Sequence, residues 1–183
     1  MSERSRVINR IDEFNMYIEK RIPKLLKKYV QILKNDFNEN LISVVLFGSA
    51  ARKTMKQNSD IDILLVIDPL PKSAFKRIEI IRESESKLSN APEYIYFAKF
   101  HAYGSPFNYV IFDRQEAMKN HYLYLDLIDE AIVFYDKGNF FIRKLREFKK
   151  RITQLGAKRF YLPDGTWYWD IKPDLKLGEE FEL

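Results

Sequence analysis

Two short apolar runs constrain this chain more than any other feature. Ile42–Phe47 is β-branched and aromatic and stops at Gly48 and Ser49, while Asp60–Ile67 is stopped by Asp68, Pro69 and Pro71. Runs of this length and composition between turn-formers read as buried strands, and proline cannot continue a central ladder. Only about a dozen residues separate the two runs, which leaves room for a turn and a brief helix over 50–55.

Elsewhere the apolar spacing is three or four, the period of a helix. Ile8, Ile11, Phe14, Ile18, Ile22, Leu25, Tyr29 and Ile32 predict a helix over 7–33, interrupted at Pro23 into two helices or one kinked one. Residues 73–88 read as a surface helix capped by Ser73. The aromatic-rich stretch 94–103 fits either strand or helix, Phe107–Phe112 reads as a strand, 116–128 as a helix, 131–135 as extended, and 136–138 as a turn. Phe141, Leu145, Phe148, Ile152 and Leu155 share one face of a last helix, which should stop at Gly156. Pro163-Asp164-Gly165 between 159–162 and 166–171 is a hairpin signature. Strands interleaved with helices over 183 residues predict a single α/β (α+β) domain, 1–183.

The informative constellation joins the two strand runs. Alternation along a strand places Asp60 and Asp62 on one face and Ile61 and Ile63 on the other. Neighbouring carboxylates repel unless a cation lies between them. Magnesium suits that place, because it takes oxygen ligands and is held by one or two carboxylates plus substrate phosphates. Two such ions can clamp the attacking and leaving oxygens of an in-line displacement at phosphorus. Gly48, lacking a Cβ, lets the backbone approach a triphosphate, and amides opening the following helix can donate to its oxygens.

The stretch Val44-Val45-Leu46-Phe47-Gly48-Ser49-Ala50-Ala51-Arg52, followed by Asn58-Ser59-Asp60-Ile61-Asp62-Ile63-Leu64-Leu65-Val66, resembles the DNA polymerase β-type nucleotidyltransferases, particularly their minimal prokaryotic members. The tail from Gly156, with Trp167-Tyr168-Trp169 and Lys172-Pro173-Asp174, is similar to the end of archaeal-type members. The resemblance implies a nucleotidyltransferase fold: a mixed β-sheet with helices on one side, an N-terminal helical segment (1–38), a catalytic core (41–135), and a C-terminal helix with hairpin (139–183). It also implies transfer of a nucleoside monophosphate from a nucleoside triphosphate, ATP by default, with pyrophosphate released. Asp60 and Asp62 would be the catalytic metal ligands for Mg2+, with Gly48, Ser49, Arg52 and Ser59 on the nucleotide. The acceptor could be a protein hydroxyl, an RNA end or a small molecule.

Such enzymes usually carry a third carboxylate on a later central strand, helping to hold the metal and to take the acceptor's proton. The corresponding position here is Asn108, which can ligate through oxygen but cannot act as a base. Asp113, on the opposite face if the strand stays regular, and Glu93 are the substitutes. The rival reading is a module that binds nucleotide or a partner without catalysis.

Other features are better explained structurally. Gly48-Ser49-Ala50-Ala51-Arg52-Lys53-Thr54 mimics a P-loop, but Arg52 stands at the required second glycine and the helix is too short. His101 and His121 read as structural or surface residues. The basic helix from Arg143 to Arg151 and the Trp167–Trp169 run could together serve a nucleic acid, though solvation and packing account for them. The formal charge of +5 suits an anionic partner without choosing one. The absence of cysteine excludes disulfides, thiolate zinc and a cysteine nucleophile. Without a long apolar run, a cytoplasmic location away from membranes is expected.

Overall fold

The computed structural model describes residues 3–56, 58–101 and 104–183, and within them the side chains from residue 20 onward. Four strands, β1 (Leu41–Phe47), β2 (Ile61–Ile67), β3 (Phe107–Phe112) and β4 (Ile132–Asp136), form a mixed sheet in the order β3-β2-β1-β4. β1 runs antiparallel to β2 and β4, and β2 runs parallel to β3.

Helices cover both faces of this sheet, not one. Ile61, Ile63, Leu65 and Ile67 pack with Leu25, Leu26, Tyr29 and Leu33 of α1 (Glu3–Phe37), Ile81 of α3 (Ala74–Ser86) and Phe97 of α4 (Pro92–Ala98). Leu64 and Val66 face the other way, onto Ala117 of α5 (Arg114–Met118), Tyr124 and Leu127 of α6 (Tyr124–Glu130), and Phe141, Phe148 and Ile152 of α7 (Phe140–Gln154). This accounts for the continuous apolar runs of β1 and β2: a strand buried on both faces has no polar side to alternate with. The apolar face of α7 is what fills the second layer.

Several local expectations are refined. α1 runs unbroken through Pro23; the earlier part of its apolar stripe, Ile8 to Ile18, lies outside the described side chains. The ambiguous aromatic stretch is helical over Pro92–Ala98, with proline in its first turn, while Tyr103 lies outside the described residues. Ser73 caps α3 by accepting from the Lys76 amide. The single helix expected over 116–128 is two, because the chain turns at 119–123 to lay the His121 ring flat on Phe112, centroids 4.4 Å apart. α7 ends in a Schellman turn at Gly156, φ +75°, with Ala157 N donating to Ile152 O at 3.0 Å. β5 (Lys158–Tyr161) and β6 (Trp167–Asp170) form the expected hairpin.

Candidate active site

The register places Phe47 opposite Asp62, and Asp62 opposite Asn108. The end of β1, the start of β2 and the start of β3 therefore meet at one edge of the sheet. Beyond Phe47 the chain turns at Gly48, φ +68°, into the four-residue helix α2 (Gly48–Ala51). A Cβ on Gly48 would stand 2.0 Å from Asp62 Oδ2, so glycine is required twice, for the left-handed backbone and for the carboxylate pressed against it. Phe47 supplies no side-chain cap to α2.

Asp62 is half-buried and accepts a hydrogen bond from Asn108 Nδ2 at 2.9 Å. Burial pushes its carboxyl above the usual carboxylate range; Asp60 adds to that, while the Asn108 bond and the Arg52 charge oppose it. Asp60 lies just before β2 with 55 % of its side chain exposed. His101 Nε2 is 3.0 Å from Asp60 Oδ1 but off the line a hydrogen bond needs, and the nitrogen is buried without a bonded partner. Its Nδ1 faces the Phe97 carbonyl at 3.0 Å. His101, read from the sequence as structural or surface, thus borders Asp60 and the cavity beside it. It lies 41 positions from Asp60, and no local pattern announces the contact.

A cavity of about 410 Å³ opens beside Asp60, His101 and Asn108, with Ser105, Phe107, Tyr109, Arg82 and Glu85 among its walls. Glu85 is almost fully buried and accepts from the phenols of Tyr94 at 2.6 Å and Tyr109 at 3.0 Å; Tyr109 in turn meets Tyr29 OH at 2.9 Å. A smaller cavity, about 150 Å³, lies on the other side between Gly48, Arg52, Asp126 and Glu130.

The remaining expected residues divide. Ser49 opens α2 beside Gly48, and its carbonyl accepts from the Thr54 amide at 2.9 Å. Ser59 braces its own turn, its Oγ accepting from Lys56 N at 3.0 Å. Arg52 follows α2 and donates to Glu130 Oε2 at 2.8 Å. Asp113 is not at the site: it lies at the opposite end of β3, about 16 Å along the strand from Asn108, and caps α5 by accepting from Glu116 N at 2.7 Å. Glu93 also lies elsewhere, paired with Lys24 at 2.7 Å. The basic residues of α7 are largely spoken for within the chain, with Lys149 on Asp129 and the buried Lys144 on Asn120.

The donors at the sheet edge fit a hard divalent cation. Asp60 and Asp62 supply carboxylate oxygens, and because Asn108 spends its amide hydrogen on Asp62, its Oδ1 remains as a neutral donor. Among the described residues no group of three or more acidic, histidine or cysteine side chains could hold a metal ion. A cation here would complete its shell with water and substrate oxygens.

A family model described as a nucleotidyltransferase domain matches residues 26–121, which span the C-terminal part of α1, β1 to β3 and the Gly48 turn. The chain belongs to the nucleotidyltransferase domain family. A Methanocaldococcus jannaschii protein named as a candidate protein adenylyltransferase, MJ1305, is 29% identical over 139 residues, covering 75% of this chain and 87% of that protein. A solved nucleotidyltransferase-named structure from Sulfolobus solfataricus aligns at TM-score 0.43 and 22% identity, covering 68% of this chain and 88% of the other. A toxin-antitoxin structure with AMP-PNP aligns at TM-score 0.44 and 16% identity, covering 71% of this chain and 92% of the other. No described helix of this nucleotidyltransferase-domain protein is long and apolar enough to cross a membrane.

Proposed function

We propose that the chain transfers AMP from ATP, in a magnesium-dependent reaction, to a hydroxyl on a protein acceptor. One observation carries the reading: the Asp62 carboxylate lies so close to Gly48 that a single methyl group would collide with it. A metal held by Asp62 is then within reach of phosphates cradled by the Gly48–Ser49 turn. The name of the archaeal relative favours a protein acceptor over an RNA end or a small molecule.

In this reading Asp60, Asp62 and Asn108 Oδ1 hold the cation, and the Gly48–Ser49 turn and Arg52 bind the triphosphate. Bound magnesium would neutralise the triphosphate and polarise the α-phosphorus. Asp62 must be ionised to ligate, and the cation offsets the burial that otherwise favours its protonated form. Asn108 orients Asp62 but cannot accept a proton, so the acceptor's proton leaves to solvent or to another base.

Asn108 also supports a second reading, a module that binds Mg-ATP without transferring it. Incubation with ATP labelled at the α-phosphate and a lysate of the source cells separates the two. Label appearing in protein, and lost with Asp62→Asn, supports transfer. Magnesium-dependent binding with no label in any macromolecule supports the module.

A further inference from the structure

The hairpin β5–β6 and α6 lie outside the segment that matches the nucleotidyltransferase model, yet they grip Arg52, which lines the smaller cavity with Gly48. Glu130 of α6 accepts from Arg52 on one carboxylate oxygen, at 2.8 Å, and from Arg159 of β5 on the other. Trp167 of β6 meets both cations, with the Arg52 guanidinium 4.9 Å and the Arg159 guanidinium 4.2 Å from its ring. The indole is itself fixed, since Trp167 Nε1 donates to Asp126 Oδ1 at 2.9 Å. Two arginines stand with the carboxylates of Glu130 and Asp126, so the formal charges balance and Arg52 is held by fixed partners rather than by an excess of charge. The cluster adjoins Gly48 in the smaller cavity, and the Arg52 charge is felt at Asp62.

We infer that Trp167, Arg159 and Glu130 are positioning residues that hold Arg52 for the β- and γ-phosphates, so that the C-terminal hairpin sets the preference for a nucleoside triphosphate over a monophosphate. The physical reason is entropy. A free arginine must give up several rotamers to bind phosphate, whereas one stacked and hydrogen-bonded beforehand has already done so. Glu130 occupies one amino group of Arg52, which leaves the rest of the planar fork for phosphate oxygens. The hairpin is held in turn by Trp169, whose Nε1 shares Asp126 at 3.3 Å.

This inference rests on the nucleotide reading above, and its test separates the two. ATP and AMP are titrated separately, each with magnesium, into the wild-type chain and into Trp167→Phe, Trp167→Leu and Trp167→Ala, with thermal unfolding of each variant as a check on folding. Trp167→Leu covers Asp126 with an apolar side chain and so keeps the test open should the alanine variant fail to fold. The leucine and alanine variants should bind ATP about fivefold more weakly, the size of one cation-π contact. AMP affinity should stay within about twofold, and Trp167→Phe, which keeps a π face, should fall between wild type and leucine. Equal weakening of ATP and AMP, or no weakening of either, overturns the inference. A wild-type chain that binds neither nucleotide overturns the parent reading instead.

Discussion

Replacing Gly48 by alanine tests how closely the phosphate turn and the metal ligand are joined. Two costs can be read from the structure. The backbone stands at φ +68°, where an L-residue pays roughly 1–2 kcal/mol. The new methyl would lie 2.0 Å from Asp62 Oδ2, 2.9 Å from its Cγ and 3.2 Å from its Cβ. The oxygen must withdraw by about 1.4 Å to reach ordinary contact. The backbone part alone should lower Tm by roughly 2–8 °C, since 1 kcal/mol is worth about 2–4 °C in a chain of this size. The displaced carboxylate should cost more in function, because a shift of about 1 Å in a reacting geometry can cost on the order of a hundredfold. Calorimetric titration with Mg-ATP and label transfer from ATP measure that loss. Because the clash involves Asp62 itself, much of the Gly48→Ala stability cost beyond the backbone part should vanish in an Asp62→Ala background, a coupling that a double-mutant cycle isolates. A Gly48→Ala protein with wild-type melting and wild-type Mg-ATP affinity would refute this reasoning.

Three further outcomes are expected. Asn108→Asp places a carboxylate directly opposite Asp62 and removes the bond that steadies it, so without metal the variant should be destabilised by roughly 1–3 kcal/mol; magnesium should restore more of its Tm than it does for wild type, and an unchanged metal-free Tm would count against the pairing. Asp62 has a raised carboxyl, so its contribution to stability is fully present below the ordinary value of about 3.9 and is lost as pH rises through the raised value. Magnesium binding, which needs the ionised form, should strengthen over that same rise; unfolding and magnesium titrations of wild type against Asp62→Asn across it measure both effects. Asp113→Ala should cost about 1 kcal/mol through loss of the α5 cap while leaving Mg-ATP affinity unchanged; a loss of affinity would return Asp113 to the site.

The strands and turns that position the site were legible because each has a local physical cause. Gly48 ends one apolar run, Pro69 ends the other, and alternation orders Asp60 and Asp62 between them. Asn108 was singled out by the family resemblance, and the pairing of β3 with β2 sets it opposite Asp62. What could not be read depends on packing between distant segments. The second helical layer follows from α7 docking on Leu64 and Val66, but an amphipathic helix does not say which face of a sheet it covers. Asp113 was a candidate only by residue type; its capping of α5 uses the carboxylate for local structure. His101 reaches Asp60, and Arg52 reaches Glu130 and Trp167, across separations of 41, 78 and 115 residues. No spacing rule spans such distances.

ATP binding measured with magnesium and again with a chelator, on the wild-type chain and on Asp62→Asn, puts the most direct question to the carboxylate pressed against Gly48. Affinity should fall by more than about tenfold when either the metal or the charge of Asp62 is removed, with little further loss when both are. Equal ATP affinity in all four titrations would contradict a phosphate site built on a metal held by Asp62.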